Sequence, residues 1–197
     1  MKDAVIVSAA RTPIGKAYRG AFNDLEAPSL SSHAITAAVA RAGFDPGEID
    51  DCIFGAALQQ GTQGGNLGRQ VAMAAGLPVS VSGMSIDRQC SSGLMTIATA
   101  AKQIIVDGSP VILAGGCESI SLAQTEHMNM HRYVDPMAMA HAPNIHMPML
   151  DTAEVVAKRY NISRDAQDEY ALQSQQRTAA AQEAGRFDDE IVSVTAT

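Results

Sequence analysis

Short apolar runs, each bounded by turn residues, constrain the fold of this chain more than any other feature. The three clearest are AVIVSA (4–9), CIFGAAL (52–58) and VILAGG (111–116), and a weaker run covers 81–86. An apolar run of this length with glycine or proline near its ends is typical of a strand that is buried on both faces. We therefore predict a strand at each of these runs.

Helical sequence fills the intervals between the runs. Its apolar spacing predicts helices over 29–42, 69–75 and 92–106. Gly43 and Gly108 follow two of these segments, in the position where glycine commonly ends a helix. Because strands alternate with helices, we expect an α/β fold: a mixed, mostly parallel sheet between helices, with the helix after residue 92 central and buried.

The character of the sequence changes after residue 121. Residues 122–150 are rich in Met and His, contain three prolines and show no clean periodicity. A stretch this long without regular structure usually forms a functional loop or lid. Helical sequence resumes at Asp151, a candidate N-cap with Glu154 three residues later, and Ser163 is a candidate cap for a second helix that ends before Gly185.

These patterns divide the chain into a core domain, residues 1–121, and part of an inserted loop domain, residues 122–197. EIVSVTAT (190–197) has the composition of another strand. A strand that opens at the last residues leads us to expect that the polypeptide continues.

Charge and composition exclude several classes of protein. The net charge of −7 gives no basic surface for nucleic acid. The apolar run at the start is far too short for a signal peptide or a membrane span. The three cysteines, Cys52, Cys90 and Cys117, have neither disulfide-like nor metal-like spacing, which fits a reducing compartment. We therefore expect a cytoplasmic protein that binds neither nucleic acid nor membranes.

Cys90 lies in DRQCSSGLMTI (87–97), where a polar run meets the start of a predicted helix. Unpaired backbone N–H groups and the positive end of the helix dipole favour a thiolate there. Small residues after it allow a substrate carbonyl to approach, and the N–H groups can stabilise an oxyanion. The residues thus predict a nucleophile that carries an acyl group as a thioester. The alternative is a half-buried cysteine that fills a packing gap.

Two other patterns predict no additional site. His127 and His131 are four residues apart, but no cysteine or acidic residue has the spacing of a further metal ligand, so we expect no metal. The loop with Gly61, Gly64 and Gly65 has neither of the glycine spacings that bind phosphate groups.

Six segments, in order and covering nearly the whole chain, resemble the thiolase family, the acyl-CoA C-acetyltransferases. They are SAARTPIG (8–15), RQCSSG (88–93), GGCESIS (115–121), TAEVVAKRY (152–160), SRDAQDEYALQSQQR (163–177) and GRFDDEIV (185–192). The resemblance implies a thiolase-like layered fold with an inserted loop domain, of which this chain is the N-terminal half and lacks the C-terminal domain.

The resemblance also implies the chemistry. Cys90 would attack the keto carbon of a 3-oxoacyl-CoA, release acetyl-CoA and pass its acyl group to CoA; the reverse reaction is a Claisen condensation. Met149 aligns with a methionine that lines the acyl pocket of the family. Coenzyme A is then a substrate, and no cofactor is implied. The family's activating histidine and second cysteine would belong to the missing half, so we expect this chain alone to be inactive.

The sequence departs from the family pattern near both aligned residues. Asp87 stands where asparagine is usual, which adds a negative charge near the thiolate. Leu150 replaces the glycine that commonly follows the pocket methionine, which implies an acyl pocket of different shape. Pro148 before Met149 resembles the degradative, longer-chain thiolases.

Other interpretations remain open at this point. RQCSSG superficially resembles a cysteine protease segment, but the histidines other than His33 crowd into 127–146. The chain could also be a non-catalytic thiolase-fold fragment or an interaction module. Bare sheet edges and apolar faces lead us to expect a homodimer or homotetramer, or a C-terminal half on the same or a separate chain.

Overall fold

The predicted alternation of strands and helices is confirmed in a computed structural model of the chain, which describes residues 3–196. Three parallel strands form one sheet: β1 (Ile49–Gly55), β2 (Ser82–Ile86) and β3 (Val111–Gly116). Their order is β2-β1-β3, with β1 in the centre. The strand predicted at 52–58 begins three residues earlier, at Ile49.

Three helices accompany these strands: α1 (Ala27–Ala42), α2 (Leu67–Ala74) and α3 (Ser92–Lys102). Gly43 ends α1 at φ 75°. A π-helical turn, Gln103–Asp107, extends α3 to Gly108 at φ 82°, so the predicted helix over 92–106 is present but not uniformly α-helical. Glycine adopts such positive φ values without steric cost, which explains why both predicted stops are correct.

The sheet lies between α1 and α2 on one face and α3 on the other. Cys52 and Phe54 of β1 belong to the apolar cluster that includes residues of α1 and α2. Alternate residues of a strand point to opposite faces. Gly55 accordingly faces Ser92 at the start of α3. This arrangement confirms the α/β class and places the segment before α3 at the carboxyl end of β1.

The burial predicted for α3 is wrong for one of its faces. Ser92, Thr96 and Ala100 pack on the sheet and are buried, whereas Leu94 is 71% exposed. Val106 in the π-helical turn is 78% exposed. The sheet covers one side of α3, and Leu94 lies on the exposed side of the helix.

The strand predicted at 4–9 is not formed in this structure. Val5 and Ile6 are 71% and 78% exposed. The segment lines a cavity of about 910 Å³ together with residues of α1, β3 and α3, and it pairs with no strand of the sheet. Its backbone therefore does not reach the free edge of β3. An isolated parallel bridge joins Arg11 to Ile191.

The chain divides into two compact units by its backbone contacts. The first unit contains the sheet and consists of the chain up to Met128 together with the residues from Glu190 onward. The second unit is Asn129–Asp189. The proposed domain boundary after residue 121 stays a prediction. Of the strand predicted at 190–197, the described residues form only the bridge at Ile191, and Thr197 lies outside the described residues.

Helices dominate the second unit: α5 (Pro136–His141), α6 (Met149–Tyr160) and α7 (Arg164–Glu183), after a short α4 (Ile120–Ala123) in the first unit. The sequence predicts no regular structure over 122–150, whereas α5 lies within this range and α4 and α6 enter its two ends. Within residues 3–196, no helix is both long and apolar enough to span a bilayer.

The predicted caps of α6 and α7 differ in outcome. The N-cap of α6 is Pro148, so the prediction of Asp151 is wrong. Asp151 lies instead in the first turn, where its charge still suits the helix dipole. Ser163 caps α7 as predicted, its hydroxyl oxygen accepting from the Ala166 N–H at 3.2 Å.

Candidate active site

A tight turn between β2 and α3 presents Cys90. The Ser91 N–H donates to the Arg88 carbonyl at 3.1 Å, and the Ser92 N–H donates to the Gln89 carbonyl at 3.0 Å. Gln89, directly before the cysteine, has φ 49°. A residue other than glycine in this left-handed region costs conformational energy, so other contacts must hold the turn.

Side chains on both sides of Gln89 supply those contacts. The Asp87 carboxylate oxygen Oδ1 accepts from the Gln89 N–H at 2.7 Å. The Ser92 hydroxyl donates to the Gln89 carbonyl at 2.6 Å and accepts from the Arg88 N–H at 2.9 Å. The Ser91 hydroxyl donates to the Arg88 carbonyl at 3.0 Å. Both polar backbone groups of Gln89 are therefore fixed by a neighbouring side chain.

Cys90 is a free and exposed thiol. Its side chain forms no hydrogen bond within the described residues. The first N–H groups of α3, those of Gly93 and Leu94, also have no partner within 3–196, whereas the Met95 N–H donates to the Ser91 carbonyl at 2.9 Å. Unpaired N–H groups at a helix start can receive the negative charge of an oxyanion.

Glycines at the ends of two strands let α3 come close to the sheet. A Cβ atom on Gly55 would lie 2.6 Å from the Ser92 carbonyl carbon. A Cβ atom on Gly116 would lie 3.1 Å from the Gly93 Cα atom. The turn with Cys90 is therefore supported directly by backbone at the carboxyl ends of β1 and β3, which is where α/β proteins commonly place their sites.

The segments that follow β1 and β3 also contain a polar network that the sequence analysis does not predict. The Glu118 carboxylate accepts from the Ala57 N–H at 2.8 Å and from the Gln63 amide at 2.7 Å. Gln63 is fully buried; its amide also donates to the Leu58 carbonyl at 2.7 Å, and its oxygen accepts from the Ser119 N–H. The network joins the segments that follow β1 and β3. Glu118, the acidic residue within GGCESIS, is the sequence feature that could have indicated this network.

The other two cysteines have a different environment. Cys52 is buried, and burial, with a smaller effect of the Asp51 charge, raises the pKa of its thiol to about 12. Burial also raises the pKa of the half-buried Cys117 thiol. Cys90 is therefore the one exposed thiol among the described residues.

Met149, the second candidate site residue, begins α6 in the second unit and is 72% exposed. Leu150 after it is 83% exposed. The role of Met149 in lining an acyl pocket stays a prediction.

The histidines form no metal centre in the described part of the chain. No group of three or more His, Cys, Asp or Glu side chains between residues 3 and 196 could hold a metal ion. His127 lies 3.8 Å from the Glu126 carboxylate, and both side chains are exposed. The His146 ring lies 5.0 Å from the Tyr133 ring.

Comparison with known proteins adds an independent finding. Residues 4–197 match the family model described as thiolase, N-terminal domain. A 3-ketoacyl-CoA thiolase of Bacillus subtilis (strain 168) is 42% identical over 198 aligned residues, covering 100% of this chain and 50% of the relative. An acetyl-CoA acetyltransferase of Cupriavidus necator is 41% identical, covering 98% of this chain and 51% of the relative.

A solved structure agrees with these relatives. The crystal structure of the Bacillus anthracis acetyl-CoA acetyltransferase superposes with a TM-score of 0.84 at 37% identity, covering 98% of this chain and 50% of that chain. The chain thus spans about half the length of the curated relatives it matches.

Proposed function

The chain belongs to the thiolase family, and on this premise we propose that it provides the nucleophile of a thiolase-type acyltransferase. In the proposed reaction the Cys90 thiolate attacks the keto carbon of a 3-oxoacyl-CoA. The bond between that carbon and the α-carbon breaks, and the α-carbon takes a proton and leaves as acetyl-CoA. The thiol of a second CoA then attacks the thioester, forms acyl-CoA and regenerates the thiolate.

The observation that carries this proposal is the placement of Cys90. Its thiol is exposed at the start of α3, and the N–H groups of Gly93 and Leu94 in the same turn have no partner within residues 3–196. Such groups can stabilise the oxyanion of a tetrahedral intermediate. The buried thiol of Cys52 and the half-buried thiol of Cys117 have neither feature, and burial favours their neutral form.

We further propose that this chain alone does not turn over. Forming a carbanion and activating CoA both need a general acid–base group within hydrogen-bond reach of the reacting atoms. The Cys90 side chain has no hydrogen bond to any residue in 3–196, so no acid–base group of this part of the chain is hydrogen-bonded to the nucleophile. A C-terminal half, on the same or a separate chain, would supply that group.

The proposal extends to the substrate and the assembly. Coenzyme A thioesters are the substrates, without a further cofactor, and Met149 contributes to the acyl pocket. A homodimer or homotetramer, or a C-terminal half, would cover apolar side chains such as Leu94 and Val106, which are 71% and 78% exposed in this chain.

Acyl labelling tests the assignment of the nucleophile. The chain is mixed with the C-terminal half of the Bacillus subtilis relative, incubated with acetyl-CoA and digested, and the mass of each cysteine peptide is measured. We expect one acetyl group on the Cys90 peptide, its loss in Cys90→Ser and its retention in the matched variant Cys117→Ser. Label on Cys52 or Cys117 would refute the assignment, and no label on any cysteine would favour the non-catalytic alternative.

Thiolysis of acetoacetyl-CoA tests the second step. The rate is measured for the chain alone and for the mixture. Because losing one member of a cooperating catalytic set costs several orders of magnitude, activity is expected only in the mixture. Equal activity from the chain alone would show that its own residues complete the site.

A further inference from the structure

The backbone of Gln89 is held in an unfavourable conformation directly before the nucleophile. Its φ of 49° lies in the left-handed region, where a side chain crowds the following carbonyl group. Hydrogen bonds fix both of its polar backbone groups: the N–H donates to Asp87, and the carbonyl accepts from Ser92. Without these bonds the residue would relax towards negative φ, which would redirect the chain at Cys90.

The two contacts have different origins. Ser92 is the first residue of α3 and is 4% exposed, so its hydroxyl position is set by the packing of the helix on the sheet. Asp87 is exposed, lies at the exit of β2, and contacts the turn through its Oδ1 atom at 2.7 Å. An exposed carboxylate in this position contributes little to the core, so its effect is local to the turn.

We propose that Asp87 is a positioning residue for Cys90: it acts as the hydrogen-bond acceptor that keeps Gln89 left-handed and so directs the thiol outward at the start of α3. This proposal rests on the proposed function of Cys90 as the nucleophile. Its acceptor oxygen, and not its charge, is the feature that matters. The 2.7 Å bond from the Gln89 N–H to the Asp87 Oδ1 atom supports the backbone geometry that exposes the thiol.

Variants at Asp87 can separate the effect of its acceptor oxygen from the effect of its charge. Asp87→Asn removes the charge but keeps an acceptor oxygen at the same place, while Asp87→Ala removes both. Gln89→Gly in the Asp87→Ala background restores the turn by another route, because glycine adopts positive φ at no steric cost. Asp107→Ala removes an exposed carboxylate after the opposite end of α3 and is the matched control.

The experiment is the alkylation rate of Cys90 by iodoacetamide in the full chain, followed on the Cys90 peptide across a pH series. The maximum rate at high pH reports the position of the Cys90 thiol and its access to the reagent. The midpoint of the pH profile reports the effect of the charge at residue 87. Asp87→Ala should lower the maximum about tenfold, the effect of losing one hydrogen bond to a charged group. Asp87→Asn and Asp107→Ala should keep the maximum, and the double variant should regain it.

Three results would overturn the proposal: an unchanged maximum in Asp87→Ala, an equal loss in Asp87→Asn, or no recovery in the double variant. Thermal unfolding of each variant separates a local effect from a loss of the fold. Alkylation does not require acyl transfer, so the two proposals can fail separately. If the Asp87→Ala result holds but acetyl-CoA labels no cysteine, the function of Cys90 is refuted while the role of Asp87 in the turn stands.

Discussion

Gly55 at the end of β1 and Ser92 at the start of α3 are in direct backbone contact. A Cβ atom on Gly55 would lie 2.6 Å from the Ser92 carbonyl carbon and 2.7 Å from its oxygen. Real Cβ atoms do not approach backbone this closely, so only glycine permits the helix to lie here. The contact fixes the height of α3 above the sheet and, with it, the position of the turn that presents Cys90.

Replacing Gly55 with alanine should therefore destabilise the chain. The added methyl group forces α3 away from the sheet, and overpacking of this kind costs about 1–3 kcal/mol. Urea unfolding followed by circular dichroism measures the change. Gly93→Ala is the control, since its Cβ atom would lie 3.9 Å from the Gly116 Cα atom. That variant should be neutral or stabilised by up to about 1 kcal/mol through helix propensity, and equal losses in both would contradict the argument.

The Gln63 side chain gives a second prediction. Gln63→Leu fills the same buried space but leaves the Glu118 carboxylate, the Leu58 carbonyl and the Ser119 N–H each without one partner. Ser119 is buried, and a buried group left unpaired costs about 1–3 kcal/mol, so we expect a loss of about that size in the free energy of unfolding.

The control for Gln63→Leu is the same substitution at Gln59, which is exposed and makes one 3.3 Å bond to the Ala56 carbonyl. It should change the free energy of unfolding by less than about 0.5 kcal/mol. A similar loss in both variants would mean that the network does not set the stability.

The sequence was sufficient for the elements that depend on local signals. Gly43 and Gly108 ended their helices as predicted, because each adopts a positive φ that other residues avoid. The cap at Ser163 followed from the same kind of local hydrogen bond. A polar segment that meets a helix start singles out Cys90, whose thiol is exposed there, and its role as a nucleophile stays a prediction.

Features that depend on distant contacts could not be predicted in the same way. The apolar run 4–9 has strand composition, but a strand also needs a partner, and this segment does not reach β3. Asp151 has the spacing of an N-cap, yet α6 starts two residues earlier, at Met149. The left-handed Gln89 depends on side chains before and after it, and no residue preference indicates it.

The cap of α7 provides a third prediction. Ser163→Ala removes the oxygen that accepts from the Ala166 N–H, so α7 should lose about 1 kcal/mol of stability. Amide hydrogen exchange at the first turn of α7 should quicken accordingly. Ser174→Ala, in the exposed interior of the same helix, removes no cap and should leave exchange there unchanged or slower. Faster exchange in Ser174→Ala as well would argue against a capping effect.

The buried Cys52 thiol gives a prediction about alkaline pH. In the folded chain burial raises its pKa from the ordinary value of 9.0 to about 12. The unfolded chain thus loses this proton first, and between these two pH values it binds fewer protons than the folded chain. The contribution of Cys52 to stability is complete below about pH 9 and is lost as the pH rises towards 12, by up to about 1.4 kcal/mol per pH unit.

Urea unfolding over a series of pH values measures this loss. The matched comparison is Cys52→Ala, which lacks the titrating group and should lose stability less steeply above pH 9. Because the other titrating groups are common to both chains, the difference between the two curves isolates Cys52. Identical slopes would show that Cys52 ionises as readily in the folded chain as in the unfolded one. Its burial would then not protect it from the reagents that reach the exposed thiol of Cys90.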